Sequence, residues 1–273
     1  MDMKKVVLIT GASSGIGKET AKLFAGAGYK VYGVARRTDK MEDLRSAGVN
    51  IFAMDVTDDD SMQQGVQRII DTEKRIDILV NNAGYGLYGS VEDVPQADAR
   101  AQFNVNVFGL ARLTQLILPY MRSQHSGKVV NISSIGGKIT TPLGGWYYAS
   151  KFAVEALSDS LRLEVKPFGI DVIIIEPGGI KTEWGGLAED NLKKVSQNTA
   201  YKELVAKSKA IFDQADNGTE PYVIARLIKK AVEKKNPKPR YAKGHMARIS
   251  LWGKRWLSDR LFDKIMMRIL KMN

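Results

Sequence analysis

Val6-Val-Leu-Ile-Thr-Gly-Ala-Ser-Ser-Gly-Ile-Gly17 sets an apolar, β-branched run against a glycine-punctuated turn, and an amphipathic stretch follows it. Val6 to Ile9 is too short for a signal-peptide core or a membrane span. The run therefore reads as a first strand, Lys4–Thr10, feeding a helix over Gly15–Ala27. In that setting Gly11 permits the tight turn, Gly15 lets the main chain approach a pyrophosphate, and Gly17 allows close helix–sheet packing. The helix N-terminus then faces the anion.

Outward from this unit, short apolar runs alternate with longer amphipathic stretches, the pattern of parallel strands joined by crossover helices. Further strands are expected at Lys30–Ala35, Asn50–Val56, Ile76–Asn81, Gly127–Ser133 and Ile170–Glu176. Further helices are expected at Lys40–Ser46, Asp59–Thr72, Asp98–Arg122, Trp146–Pro167 and Glu220–Lys234. Val-Ile-Ile-Ile at 172–175 is apolar on both sides, which calls for helices on both faces of the sheet. The expected fold is a single-domain α/β doubly wound, Rossmann-type parallel sheet, spanning all 273 residues. It carries a substrate lid at 183–218 and a basic, amphipathic, helical C-terminal extension at 236–273, with Lys234–Arg240 as the one linker-like stretch.

The net charge of +11 is concentrated in the tail: residues 226–273 hold 15 Lys or Arg against three acids, leaving the first 225 residues at −1. A basic tail suits an anionic partner, such as a membrane surface or an acidic protein, or is a solvated face. Cysteine is absent, which excludes disulfides and thiolate chemistry and makes the cytoplasm the expected compartment. His125 and His245 lack neighbouring ligand residues, so no metal is expected.

Four further motifs follow the glycine turn in fixed order: Asn81-Asn-Ala-Gly84, Asn106, Ser134, and Tyr147-x-x-x-Lys151 thirteen residues after that serine. Together they resemble the classical short-chain dehydrogenase/reductase family, closely over about 4–182, and within it the steroid and retinol dehydrogenase-like branch. The resemblance implies a nicotinamide-dependent oxidoreductase interconverting a carbonyl and an alcohol. It places the cofactor against Gly11, Ser13, Ser14, Gly15, Ile16 and Gly17, with Asp55 and Val56 at the adenine and Asn82, Ala83 and Gly84 (beside Asn81) along the adenosine side. Pro177, Gly178, Ile180 and Thr182 would hold the carboxamide end.

Cofactor choice is written where the second strand ends. Val34-Ala35-Arg36-Arg37 offers no carboxylate for a ribose hydroxyl, and a guanidinium suits a 2′-phosphate, so NADP(H) is expected over NAD(H). Tyr147 and Lys151 share a helix face with Cβ atoms about 6 Å apart. A phenol titrates near about 10, and drawing it to neutral pH costs about 4 kcal/mol, which a nearby ammonium and an oxidised nicotinamide can supply. Such coupling predicts a depressed Tyr147 pKa.

In the family-based reading Tyr147 exchanges the proton with the substrate oxygen, Ser134 hydrogen-bonds that oxygen, Lys151 also holds the ribose, and Asn106 organises a water-linked relay. Tyr148 has Phe152 four residues on and cannot form the same pair. Trp184, Leu187, Tyr201 and Phe212 are the apolar anchors of the lid, Trp184 contacting substrate.

After Ser258, Leu261, Phe262, Ile265, Met266, Ile269 and Leu270 form one apolar helix face with basic neighbours. The segment 246–273 either docks on the body as a lid or dimer arm or lies on a membrane. A bulky lipophilic alcohol or ketone is the expected substrate. The alternatives are a 3-oxoacyl thioester of fatty-acid synthesis and a non-catalytic nicotinamide sensor or scaffold. A homodimer or homotetramer built on the Asp98–Arg122 and Trp146–Pro167 helices is expected, and no nucleic acid.

Overall fold

A computed structural model describes residues 4–181, 184–208 and 218–269. Seven strands form one parallel sheet in the order β3-β2-β1-β4-β5-β6-β7. They are β1 (Val6–Thr10), β2 (Lys30–Ala35), β3 (Asn50–Ala53), β4 (Ile78–Asn81), β5 (Gly127–Ile132), β6 (Ile170–Pro177) and β7 (Arg240–Lys243). β1 is buried on both faces. Val7 and Ile9 join the core beneath α1 (Gly15–Gly26) and α9 (Pro221–Val232), while Val6 and Leu8 join the core beneath α3 (Asp59–Glu73) and α5 (Leu110–Ser123). That two-sided burial is why the run carries no polar alternation.

The chain winds from β1 through β2 to β3 in one direction and from β4 to β7 in the other. The loops leaving β1 and β4 therefore diverge, and a crevice opens at their carboxyl ends. Side-chain bonds knit those two loops together. The Asn82 amide donates to the carbonyls of Thr10 (3.0 Å) and Gly11 (3.2 Å), and Thr10 Oγ1 accepts from the main-chain N–H groups of Asn82 (3.0 Å) and Ala83 (2.9 Å).

The expected Asp98–Arg122 helix is interrupted. α4 (Gln96–Phe103) passes through a π-helical turn, Asn104–Gly109, before α5 begins. Gly109 lies so close to the Val56 carbonyl that a Cβ would collide with it, and the turn buries Asn106. An extra residue in one helical turn re-aims a side chain without disturbing the apolar spacing on either side.

The stretch 236–273 is no simple extension, because its residues Arg240–Lys243 are β7, paired in register with Ile174–Pro177 of β6. Ile174 N–H donates to Pro239 O at 2.8 Å, so the linker-like Lys234–Arg240 delivers the chain to the sheet edge. Lys and Arg on such a strand discourage further pairing. Within 183–218 stand α7 (Trp184–Ser196) and α8 (Lys202–Lys207), whose Ala188, Leu192 and Val205 pack with Tyr88, Leu143, Tyr147 and Tyr148. α2 (Glu42–Ser46) and α6 (Gly145–Val165) belong to the body, and two amphipathic helices, α10 (Ala247–Trp256) and α11 (Asp259–Ile269), come last among the described residues.

Candidate active site

The crevice continues into one cavity of about 1150 Å³, above the usual range of roughly 300–1,000 Å³ for a single small ligand. One end is the glycine turn. Gly11 and Gly15 both adopt left-handed backbone, φ +65° and +54°. Gly17 abuts the Gly11 carbonyl and the Asn82 amide, leaving no room for a Cβ. At the head of α1, Ser14 makes no side-chain capping bond and the first turn carries no acid. Its orphan N–H groups open on a cavity lined by Gly11, Ser13, Ser14, Gly15 and Ile16, an arrangement that fits a pyrophosphate.

Arg36 and Arg37 follow β2 on the same wall, exposed, and neither has an ion-pair partner among the described residues. Asp55 and Val56, just beyond the neighbouring β3, line the cavity beside them. One Asp55 oxygen is engaged by Thr57 N–H (2.9 Å) and Oγ1 (2.8 Å). Asn82, Ala83 and Gly84 continue the wall, whereas Asn81 is buried behind it, bonded to Asn131 (2.9 Å) and Thr114 (3.0 Å).

The other end is built on α6. Tyr147 and Lys151 stand one turn apart at the cavity wall, only 8% and 7% exposed. Lys151 Nζ donates to Ile132 O at 2.9 Å and lies 6.0 Å from the Tyr147 ring centre. Ser134 hydrogen-bonds the Tyr147 phenol, and its Oγ accepts from Gly136 N–H at 3.0 Å.

Asn106 lies one layer behind. Its amide donates to Tyr85 O and Ser150 Oγ, both at 3.0 Å, and its Oδ1 accepts from Tyr85 N–H at 3.1 Å. Gly84 separates it from the lysine: a Cβ there would lie 3.0 Å from Asn106 Oδ1 and 3.7 Å from Lys151 Nζ.

The phenol's own protein surroundings oppose the shift that the Tyr–Lys spacing predicts. Burial pushes the Tyr147 pKa well above the ordinary phenol range, against the bond from Ser134, and the same burial pushes Lys151 down to about 8, opposed by Glu155. Desolvation dominates because the amine is engaged by the Ile132 carbonyl and stands off from the ring.

Glu155 is a group the motifs do not reveal. One turn beyond Lys151, it is buried at 3% exposure and paired at 3.0 Å with both Lys138 and Arg240. Arg240 also reaches Asp159 (2.5 Å) and Glu176 (3.5 Å), and burial with the Glu155 charge raises Glu176 to about 7. Replacing Glu155 by Gln removes a charge that favours the ammonium. The basic limb of the pH–kcat profile should then move to lower pH, while Glu155→Asp keeps it in place. A uniform fall in kcat at every pH would assign Glu155 a packing role instead.

Other contributors come from tertiary packing. Tyr148, adjacent to the motif tyrosine, places its hydroxyl 2.5 Å from Thr141 Oγ1 and 3.3 Å from the Tyr88 hydroxyl, and Tyr88 stacks on Tyr147 at 5.9 Å. Pro177, Gly178 and Ile180 line the wall, joined by Gly179. Thr182 lies outside the described residues, as does the Trp184 side chain at the start of α7. The outer lip is formed by Met246, Ile249, Trp252, Phe262 and Ile265 of the C-terminal segment. The apolar spacing after Ser258 signals only the Phe262 and Ile265 part of that lip, and nothing local ties it to the reacting end.

A cavity joining a phosphate-ready helix terminus to a buried Tyr–Lys pair defines a nucleotide-dependent oxidoreductase. The family model described as short chain dehydrogenase matches residues 5–193, and the chain belongs to that family. Among curated proteins it is 38% identical to the 3-ketodihydrosphingosine reductase of Bacteroides thetaiotaomicron over 262 residues, 95% of each chain. It is 34% identical to the NADPH-dependent 3-dehydrocapnine reductase of Ornithobacterium rhinotracheale, covering 98% of each. Among solved structures, a short-chain dehydrogenase from Streptomyces avermitilis superimposes with TM-score 0.83 at 34% identity, over 99% of this chain and 96% of that one.

Proposed function

We propose that the protein reduces the ketone of a long-chain, lipophilic substrate to a secondary alcohol with NADPH. The observation that carries this reading is the single cavity running from Arg36 and Arg37, past Ser134, Tyr147 and Lys151, to an apolar outer wall on α10 and α11. The names of the two curated relatives, one of them NADPH-dependent, point the same way.

A bound reduced nicotinamide supplies the hydride. Ser134 and Tyr147 hold the carbonyl oxygen, and Tyr147 gives it the phenolic proton as charge develops there. The raised phenol pKa keeps that proton in place across neutral pH. Lys151 stabilises the phenolate left behind while it is cationic, so reduction declines as pH rises through about 8. Asn106 positions the machinery by tying the Tyr85 loop to α6 through Ser150. Exposed Phe108, Phe152, Leu157 and Leu163 on and beside α5 and α6 support assembly as a homo-oligomer through those helices.

NADPH oxidation should be measured with 3-ketodihydrosphingosine, a long-chain ketone lacking its amine, and a short 3-oxoacyl thioester. The expected result is Tyr147-dependent turnover of the long-chain ketones, with KM falling as the chain lengthens. Faster turnover of the short thioester would overturn the substrate class in favour of fatty-acid synthesis.

A further inference from the structure

We infer that α10 and α11 form an interfacial docking surface for an anionic lipid bilayer, with the cavity mouth opening onto the lipid. Trp252 and Trp256 are 66% and 67% exposed, and α11 buries none of its side chains. Ile249, Trp252 and Ile265 belong both to this exposed surface and to the cavity lip, so the apolar patch and the opening are continuous. An apolar surface of this kind marks a contact site.

Charge selects the partner. Residues 247–269 hold six basic and two acidic side chains. Lys254 pairs with Asp259 at 2.5 Å, whereas Arg255, Arg260, Lys264 and Arg268 are exposed and form no ion pair among the described residues. At helical spacing Arg260, Lys264 and Arg268 make a row bordering the Leu261, Ile265 and Ile269 row, so cations flank the apolar edge along the whole of α11. Tryptophan at that border suits the headgroup region.

A second copy seated across a two-fold axis would set these like charges against one another. A protein partner on the lip would close the cavity, whereas a fluid bilayer leaves it open and delivers amphipathic molecules to it. No helix among the described residues is long and apolar enough to cross a membrane, so the contact is peripheral. The docking claim stands apart from the proposed reaction, and only the substrate's route depends on both.

The purified chain should be sedimented with vesicles of phosphatidylcholine alone and of phosphatidylcholine with phosphatidylglycerol. Binding to the anionic vesicles only is expected, weakened by salt and accompanied by a blue shift of tryptophan emission. The double variant Lys264→Glu, Arg268→Glu should lose at least about tenfold in partitioning while NADPH binding, the measure of an intact fold, is retained. Trp256→Ala provides a second, uncharged variant and should also weaken partitioning. Failure to bind anionic vesicles, equal binding to neutral ones, or undiminished binding by both variants would overturn the proposal. Concentration-dependent burial of the tryptophans without lipid would overturn it in favour of a contact between copies. Each readout is binding, so a protein that docks but does not turn over ketones separates the two claims.

Discussion

Tyr147→Phe should lower kcat for ketone reduction by about 10³-fold, within the range of general acid–base effects, while leaving NADPH affinity unchanged. The substitution deletes one hydroxyl and keeps the ring. That ring is buried among Tyr88, Leu143 and Tyr148 and stacks on Tyr88, so the packing survives. What is lost is the hydroxyl proposed to donate the proton, and its bond with Ser134. Rapid-mixing measurements of NADPH oxidation, paired with a cofactor titration, check both halves of the expectation. Tyr148→Phe is the informative comparison, because its hydroxyl is committed to Thr141 and Tyr88. A larger loss in Tyr148→Phe than in Tyr147→Phe would move the acid to the neighbouring residue.

Arg36→Asp should weaken NADPH binding by about 100-fold and NADH binding little, reversing the cofactor preference. Each charge-assisted hydrogen bond contributes about 1.5–3 kcal/mol, and the substituted carboxylate adds repulsion toward a 2′-phosphate. Arg36 is exposed and has no ion-pair partner among the described residues, so its replacement leaves no buried charge stranded. The change is then read in binding rather than in stability. Equal effects on the two cofactors, measured as Kd, would remove the 2′-phosphate from this end of the cavity.

The parts of the fold legible in the sequence are those whose causes are local. β1, the glycine turn and α1 are specified by adjacent residues, each answering to a strand face, a left-handed φ or a close approach. The motifs that follow fall in the same cavity or directly behind it because the switch point between β1 and β4 gathers their loops. β7 is not legible in the sequence because Arg-Tyr-Ala-Lys has no apolar period and is held by its pairing with β6. The π-helical turn is hidden for the opposite reason, since apolar spacing continues on both sides of it. The direction of the Tyr147 shift depends on desolvation, a property of the assembled pocket that residue spacing does not encode.

β7 passes directly through Gly244–Met246 into α10, so the outer wall of the cavity hangs from the last strand of the sheet, whereas Ser134, Tyr147 and Lys151 belong to earlier segments. The two walls are therefore carried by separate segments of the chain. Exchanging the residues beyond Ala247 for those of a relative should change which molecules enter, while Ser134, Tyr147 and Lys151 keep their places on earlier segments. Divergence in this chain has a natural place to act, and so does redesign.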